Sequence, residues 1–166
     1  MIRSVVKKGD ERLYAVSTNV DDIQSVAEVI RDLHDTLTGV QQLYNFMRGS
    51  GIAAPQIGVN VRISVVEFDK VRYTLINPEI IEHSVENVII REGCLSFFSE
   101  RGYIPRHSFV RVRYTDENGD EQTVEATDNF ASLLQHEIDH LDGKLYDFHL
   151  PTGAVLEPHL EMPFIP

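Results

Sequence analysis

At 166 residues, with 42% hydrophobic and 25% charged side chains, the chain has the length and composition of one globular domain, which argues against a disordered or fibrous protein. Its 15 Lys and Arg against 26 Asp and Glu leave a net charge of −11, which repels phosphate backbones and anionic membrane surfaces and argues against direct nucleic-acid binding. The single cysteine, Cys94, excludes an intrachain disulfide, and no run reaches the roughly 18 apolar residues of a membrane span. The opening MIRSVVKKGDERLYAV lacks the apolar stretch of a signal peptide, so a cytoplasmic location is expected.

From Asp21 to about Met47, apolar residues recur every three or four positions: Ile23, Val26, Ala27, Ile30, Leu33, Leu37, Val40, Leu43 and Met47. That spacing predicts one long amphipathic helix. Ser17 or Asn19 stands where a cap is needed at its start, and Gly49 where it would end. Gly39 lies inside the pattern and costs about 1 kcal/mol relative to Ala, which leaves a break or kink near Thr38 and Gly39 as the alternative to one continuous helix. The period then changes. VRISVVEF, RYTLINPEII and ENVIIREGCLSF are rich in β-branched residues and read as strands. FVRVRYTDENGDEQTVEAT reads as a hairpin, with Val110, Val112 and Tyr114 alternating with polar residues before a turn at Asn118 and Gly119. A second helix is predicted from about Asp128 to Leu141, closed by Gly143. Its Phe130, Leu133, Leu134, Ile138 and Leu141 cover most of its circumference, the pattern of a buried helix. The tail from Pro151 carries four prolines and excludes a long helix. The expected fold is a single α+β domain over 1–166: mostly antiparallel sheets around a central helix carrying HEIDH, plus the long N-terminal helix.

The stretch LLQHEIDHLDG places His136, Glu137 and His140 in an apolar run, where burying them is costly unless something pairs with them. Four residues apart on a helix, His136 and His140 point the same way and can reach one ion. Glu137 lies about 100° around the helix, where it can meet a water without being a ligand; this is the HExxH arrangement. A catalytic site of this kind needs a third protein ligand. His149, Glu157 and His159 are available downstream, and Cys94 in REGCLSFF competes with them from a strand end beside Gly93. Spacing alone does not choose among them, and a pair of hydrogen-bonded core histidines is the plain alternative.

Three blocks resemble the motifs of the peptide deformylase family, in order and at about the family's spacing: GSGIAAPQIG at 49–58, EGCLS at 92–96 and QHEIDH at 135–140. GDERLYAVS, LINPEI and ERGYIPRH extend the likeness to about Leu150. The resemblance implies hydrolysis of the formamide on the N-terminal formyl-methionine of newly made proteins, with release of formate. It implies that Cys94, His136 and His140 hold one divalent ion with water in the fourth position, Fe²⁺ being preferred in the cell and Zn²⁺ or Ni²⁺ able to substitute. It assigns proton transfer to Glu137 and the oxyanion donors to the Gln56 side-chain amide and the Leu95 backbone N–H. Ser50, Gly51, Gly93, Arg101 and Leu133 are expected along the substrate path. There the glycine backbone would accept the peptide as an added strand and Leu133 would wall a methionine pocket.

Three departures from the family pattern stand out: Ser50 in place of an apolar residue, Phe97-Phe98 in place of an apolar-Pro pair, and a Pro-rich end where many bacterial members continue into a charged helix. The expected partners are nascent formyl-methionyl peptides, with no nucleic acid or membrane, and the expected state is a monomer. The rivals are an HExxH endopeptidase using His149 or Glu157, and a metal-holding module without catalysis.

Overall fold

The structure, a computed structural model, describes residues 1–44, 46 and 49–159. Two helices, α1 (Ala27–Leu43) and α2 (Asp128–Leu141), accompany eight strands. The strands are β1 (Ser50–Ala53), β2 (Ile63–Phe68), β3 (Val71–His83), β4 (Asn87–Cys94), β5 (Phe97–His107), β6 (Phe109–Thr115), β7 (Glu121–Thr127) and β8 (Glu157–Pro158). They form a five-stranded sheet in the order β1-β2-β3-β6-β7 and a three-stranded sheet in the order β4-β5-β8. Every pairing among them is antiparallel.

Strand alternation explains how the larger sheet carries a helix on each face. Ile63 and Val65 of β2 pack with Leu33, Leu37 and Val40 of α1, whereas Val66 of the same strand turns the other way, to Leu134 and Ile138 of α2. A third cluster joins Val6, Leu13, Ile104, Leu145 and Tyr146 with Cys94 and Phe97 on the smaller sheet. Each buried Leu or Ile of these clusters contributes about 1.5–3 kcal/mol by leaving water. No described helix is long and apolar enough to cross a membrane.

Several expectations need correction. The first helix begins at Ala27, after a 3-10 turn over Ile23–Val26 whose cap is Asp22, not Ser17 or Asn19. The Asp22 carboxylate accepts from the Gln24 N–H at 3.0 Å, which satisfies an otherwise orphan donor and fixes the tight start. Gly49 does not end the helix, because Tyr44 is already extended; Met47 lies outside the described residues. Helix α1 runs unbroken through Gly39, whose missing side chain seats Ile2: a Cβ there would lie 3.0 Å from Ile2 Cδ1. ENVIIREGCLSF is not one strand. It turns at Leu95 and Ser96, pairing Cys94 with Phe97 and starting β5, which the sequence reading did not separate. In the tail, Glu157–Pro158 pairs with β5 as β8, and residues 160–166 lie outside the described ones.

Candidate metal centre

Helix α2 presents His136 and His140 from one face, and the β4–β5 turn brings Cys94 to them across 42 residues of sequence. Cys94 Sγ lies 3.2 Å from His140 Nε2, and the ligating atoms of all three residues lie within 4.8 Å of one another. All three are buried. Metal bonds of roughly 2.0–2.3 Å to imidazole and thiolate let one ion reach donors spaced in this way. The chemistry of the donor set therefore fits a divalent ion.

The state of the thiol fits as well, since the thiolate is the form that ligates, whereas the His136 imidazole must give up a proton to bind. Burial pushes the Cys94 thiol up, but the charge of His140 and hydrogen bonds with His136 and His140 outweigh it and bring the thiol down to about 5. Burial likewise opposes a charged His136, yet Cys94 and Glu92 hold it well above the ordinary histidine range. Glu137 goes the other way, pushed up to about 7 by burial. Its Oε2, and Nδ1 of His140, are buried with no hydrogen-bond partner among the described residues. Leaving such an atom unpaired costs about 1–3 kcal/mol, so the carboxylate is held ready for a partner from outside the fold.

Gln56 reaches the same point from a 3-10 turn, Ala54–Ile57, closed by Gly58 at φ 80°. The Ala53 N–H donates to Gln56 Oε1 at 2.9 Å, which fixes the amide so that Nε2 faces Cys94 Sγ at 3.4 Å and Ser96 Oγ at 3.3 Å. Leu95 packs its side chain into the α1 cluster, leaving its main chain in the turn after Cys94. Gly51, in β1, lies against Glu137: a Cβ there would be 2.5 Å from Glu137 Oε1. The missing side chain thus serves the helix as much as any substrate. Gly93 is covered by Arg101, whose guanidinium leaves no room for a Cβ, and Arg101 Nη1 donates to the Glu100 carbonyl at 2.7 Å. Ser50 is buried and its Oγ accepts from Gln41 Nε2 at 2.9 Å, so the polar departure in this motif is satisfied inside the fold. Leu133 is half-buried near Gly49, and the side chain of Phe98 is not among the described ones.

Sequence reasoning missed the groups that hold the imidazole. Glu92 Oε2 accepts from His136 Nδ1 at 2.9 Å, Ser132 Oγ donates to Glu92 Oε1 at 2.8 Å, and Arg106 bridges Glu92 to Asp139. Burial raises the Glu92 carboxyl, but His136 and Arg106 bring it down to about 2. Its place inside EGCLS was the one available signal. The rival third ligands sit elsewhere: His149 Nε2 is 2.8 Å from Asp139 Oδ2, Glu157 is 3.8 Å from Arg91, and the His159 N–H donates to the Ser99 carbonyl.

Two imidazoles from one helix turn, a thiol from a distant strand end and an adjacent buried carboxylate make the donor set of a metal-dependent hydrolase. The comparisons narrow that class. The profile described as polypeptide deformylase matches residues 2–152. The chain is 40% identical over 147 residues to peptide deformylase 2 of Clostridium perfringens, covering 87% of this chain and 90% of that one. To the peptide deformylase of Brachyspira hyodysenteriae it is 41% identical over 152 residues, covering 86% and 78%. The crystal structure of the Ehrlichia chaffeensis peptide deformylase in complex with actinonin superposes with a TM-score of 0.82 at 35% identity, covering 90% and 89%. The chain belongs to the polypeptide deformylase family.

Proposed function

We propose that this chain hydrolyses the formamide of N-formyl-methionyl peptides in the cytoplasm, and that Cys94, His136 and His140 hold the single divalent ion it needs, Fe²⁺ in the cell with Zn²⁺ or Ni²⁺ able to substitute. The ion, when bound, activates a water at neutral pH and polarises the formyl carbonyl. The observation that carries the reading is the convergence of an unpaired Glu137 Oε2 and the oriented Gln56 amide on that donor set.

Glu137 takes the water proton at Oε2 and later gives it to the departing amine nitrogen. Gln56 Nε2 and the Leu95 N–H donate to the oxygen that becomes negative as the formyl carbon turns tetrahedral; one such donor is typically worth about 3 kcal/mol of barrier. Glu92 keeps the His136 ring in one tautomer, leaving Nε2 as the nitrogen that would hold the ion. The peptide adds to the outer edge of β1, which pairs only with β2 among the described strands. Main-chain pairing tolerates any sequence after the methionine. Leu133 and the backbone near Gly49 wall the methionine side chain, and Arg101 over Gly93 borders its path.

Formate release from formyl-Met peptides, measured anaerobically with metal analysis of the same sample, tests this. Turnover is expected with Fe²⁺, Ni²⁺ or Zn²⁺. No formate with any of the three, at full occupancy, would refute the reading.

A further inference from the structure

We propose that His149 is a positioning residue for His136, acting across the protein interior through Asp139, Arg106 and Glu92. This rests on the reading of His136 as a metal ligand. The five groups form one unbroken chain: His149 Nε2 to Asp139 Oδ2 at 2.8 Å, Arg106 Nη1 to the same oxygen at 2.5 Å, Arg106 Nε and Nη2 to Glu92 at 2.6 and 3.0 Å, and Glu92 Oε2 to His136 Nδ1 at 2.9 Å. The Arg106 side chain is only 3% exposed and that of Glu92 5%, so solvent does little to screen them, whereas His149 is 30% exposed at the outer end.

Two oxygens are shared between members of this chain, and Glu92 Oε1 accepts from Ser132 Oγ as well as from Arg106. Asp139 Oδ2 accepts from both His149 and Arg106, and Glu92 Oε2 accepts from both Arg106 and His136. One guanidinium is therefore divided between two carboxylates, and whatever strengthens its hold on Asp139 weakens its hold on Glu92. The arm to Glu92 Oε2, at 3.0 Å, is the longest of its three and the first to loosen. His149 sets the division, because its N–H occupies the Asp139 oxygen that Arg106 also uses. The same 3-10 turn, Tyr146–His149, also places Tyr146 with its ring stacked on His136 at 5.9 Å, so one short segment braces this imidazole twice.

The signs of the effects follow from the sharing. His149→Ala leaves Asp139 Oδ2 to Arg106 alone, which draws the guanidinium from Glu92. Glu92 then becomes a stronger acceptor for His136 and makes the imidazole a better donor to the ion. Asp139→Asn does the reverse: Arg106 falls wholly on Glu92 and competes harder with His136. Outer partners of this kind change metal affinity by roughly 10–100-fold when removed. We expect Co²⁺ to bind about threefold or more tightly to the His149→Ala protein and about tenfold more weakly to the Asp139→Asn protein. His149→Gln, whose amide N–H can replace the imidazole donor, should restore the original affinity.

The measurement is Co²⁺ affinity by chelator competition, followed in the visible spectrum of full-length protein, with thermal unfolding of each metal-free variant alongside. Unchanged affinity in His149→Ala, or the same loss in both variants, would overturn the proposal, since ordinary packing damage moves both in one direction. Failure of the unmodified chain to bind Co²⁺ would instead overturn the ligand set itself, and this inference with it.

Discussion

The contact between Gly51 and Glu137 gives the sharpest test of the proposed mechanism. Gly51 lies within β1 and its φ is not in the left-handed region, so Ala is compatible with the backbone and Gly51→Ala perturbs space alone. A Cβ at this position would stand 2.5 Å from Glu137 Oε1, 2.7 Å from Cδ and 2.8 Å from Cγ. Ordinary van der Waals contact begins at 3.4 Å, so the carboxylate must retreat by nearly an ångström. It cannot retreat freely, because Glu137 is buried on a helix whose next residue, Ile138, is locked into the sheet.

A misplacement of about 1 Å in a proton-transferring group costs on the order of 100-fold in rate. That corresponds to roughly 2.7 kcal/mol of barrier. Overpacking should also lower stability by about 1–3 kcal/mol, while the metal donors, which the Cβ does not touch, keep their ion. The assay is kcat for formate release at measured metal occupancy, with a thermal melt of the same preparation. Gly51→Ala with unchanged kcat at full occupancy would show that the position of Glu137 does not limit the reaction, and the role given to its carboxylate would have to be withdrawn.

Cys94→Ala should abolish stoichiometric metal binding, so that chelation no longer lowers its melting temperature. In the unmodified chain, metal at 100 times its Kd should add about 2.7 kcal/mol of stability. Retention of the ion by Cys94→Ala, seen by metal analysis, would return the endopeptidase-type ligand set to consideration. Glu137→Gln should keep the ion and lose about 10²–10⁴-fold in turnover, which a metal site without catalysis would not do. Leu134→Ala, fully buried between α2 and the larger sheet, should cost about 2–5 kcal/mol in denaturant unfolding. A loss under 1 kcal/mol there would mean that α2 is not braced by this packing.

What could be read in the sequence was local periodicity. Helix α2 runs from Asp128 to Leu141 as its 3.6-residue pattern indicates, and the β6–β7 hairpin turns with Gly119 at φ 90°. The beginning of α1 escaped because Ile23 and Val26 suit a 3-10 turn and an α-helix equally, and the Asp22 cap decides between them. Strand β5 escaped because Pro105 reads as a breaker. It is tolerated where β5 has β4 on one side only, since β8 pairs no further than Glu100 and Arg101. At the centre, His136, Glu137 and His140 were legible from helical spacing, whereas Cys94 required the family resemblance. Glu92, Arg106, Asp139 and His149 come from separate segments, and no period connects them.

The position of the thiol follows from how the hydrophobic clusters meet. Cys94 belongs to the cluster of the smaller sheet, while Leu95, the next residue, belongs to that of α1. Ile138, between the two histidines, belongs to the remaining cluster, between α2 and the larger sheet. The β4–β5 turn cannot slide toward one core without pulling a side chain out of another, and close-packed interiors resist such shifts. The smaller sheet is a hairpin with a two-residue third strand, which would hold a ligand loosely by itself. Anchoring adjacent residues in different cores supplies the stiffness it lacks, and it explains how a sulfur 42 positions from His136 arrives within reach of both imidazoles.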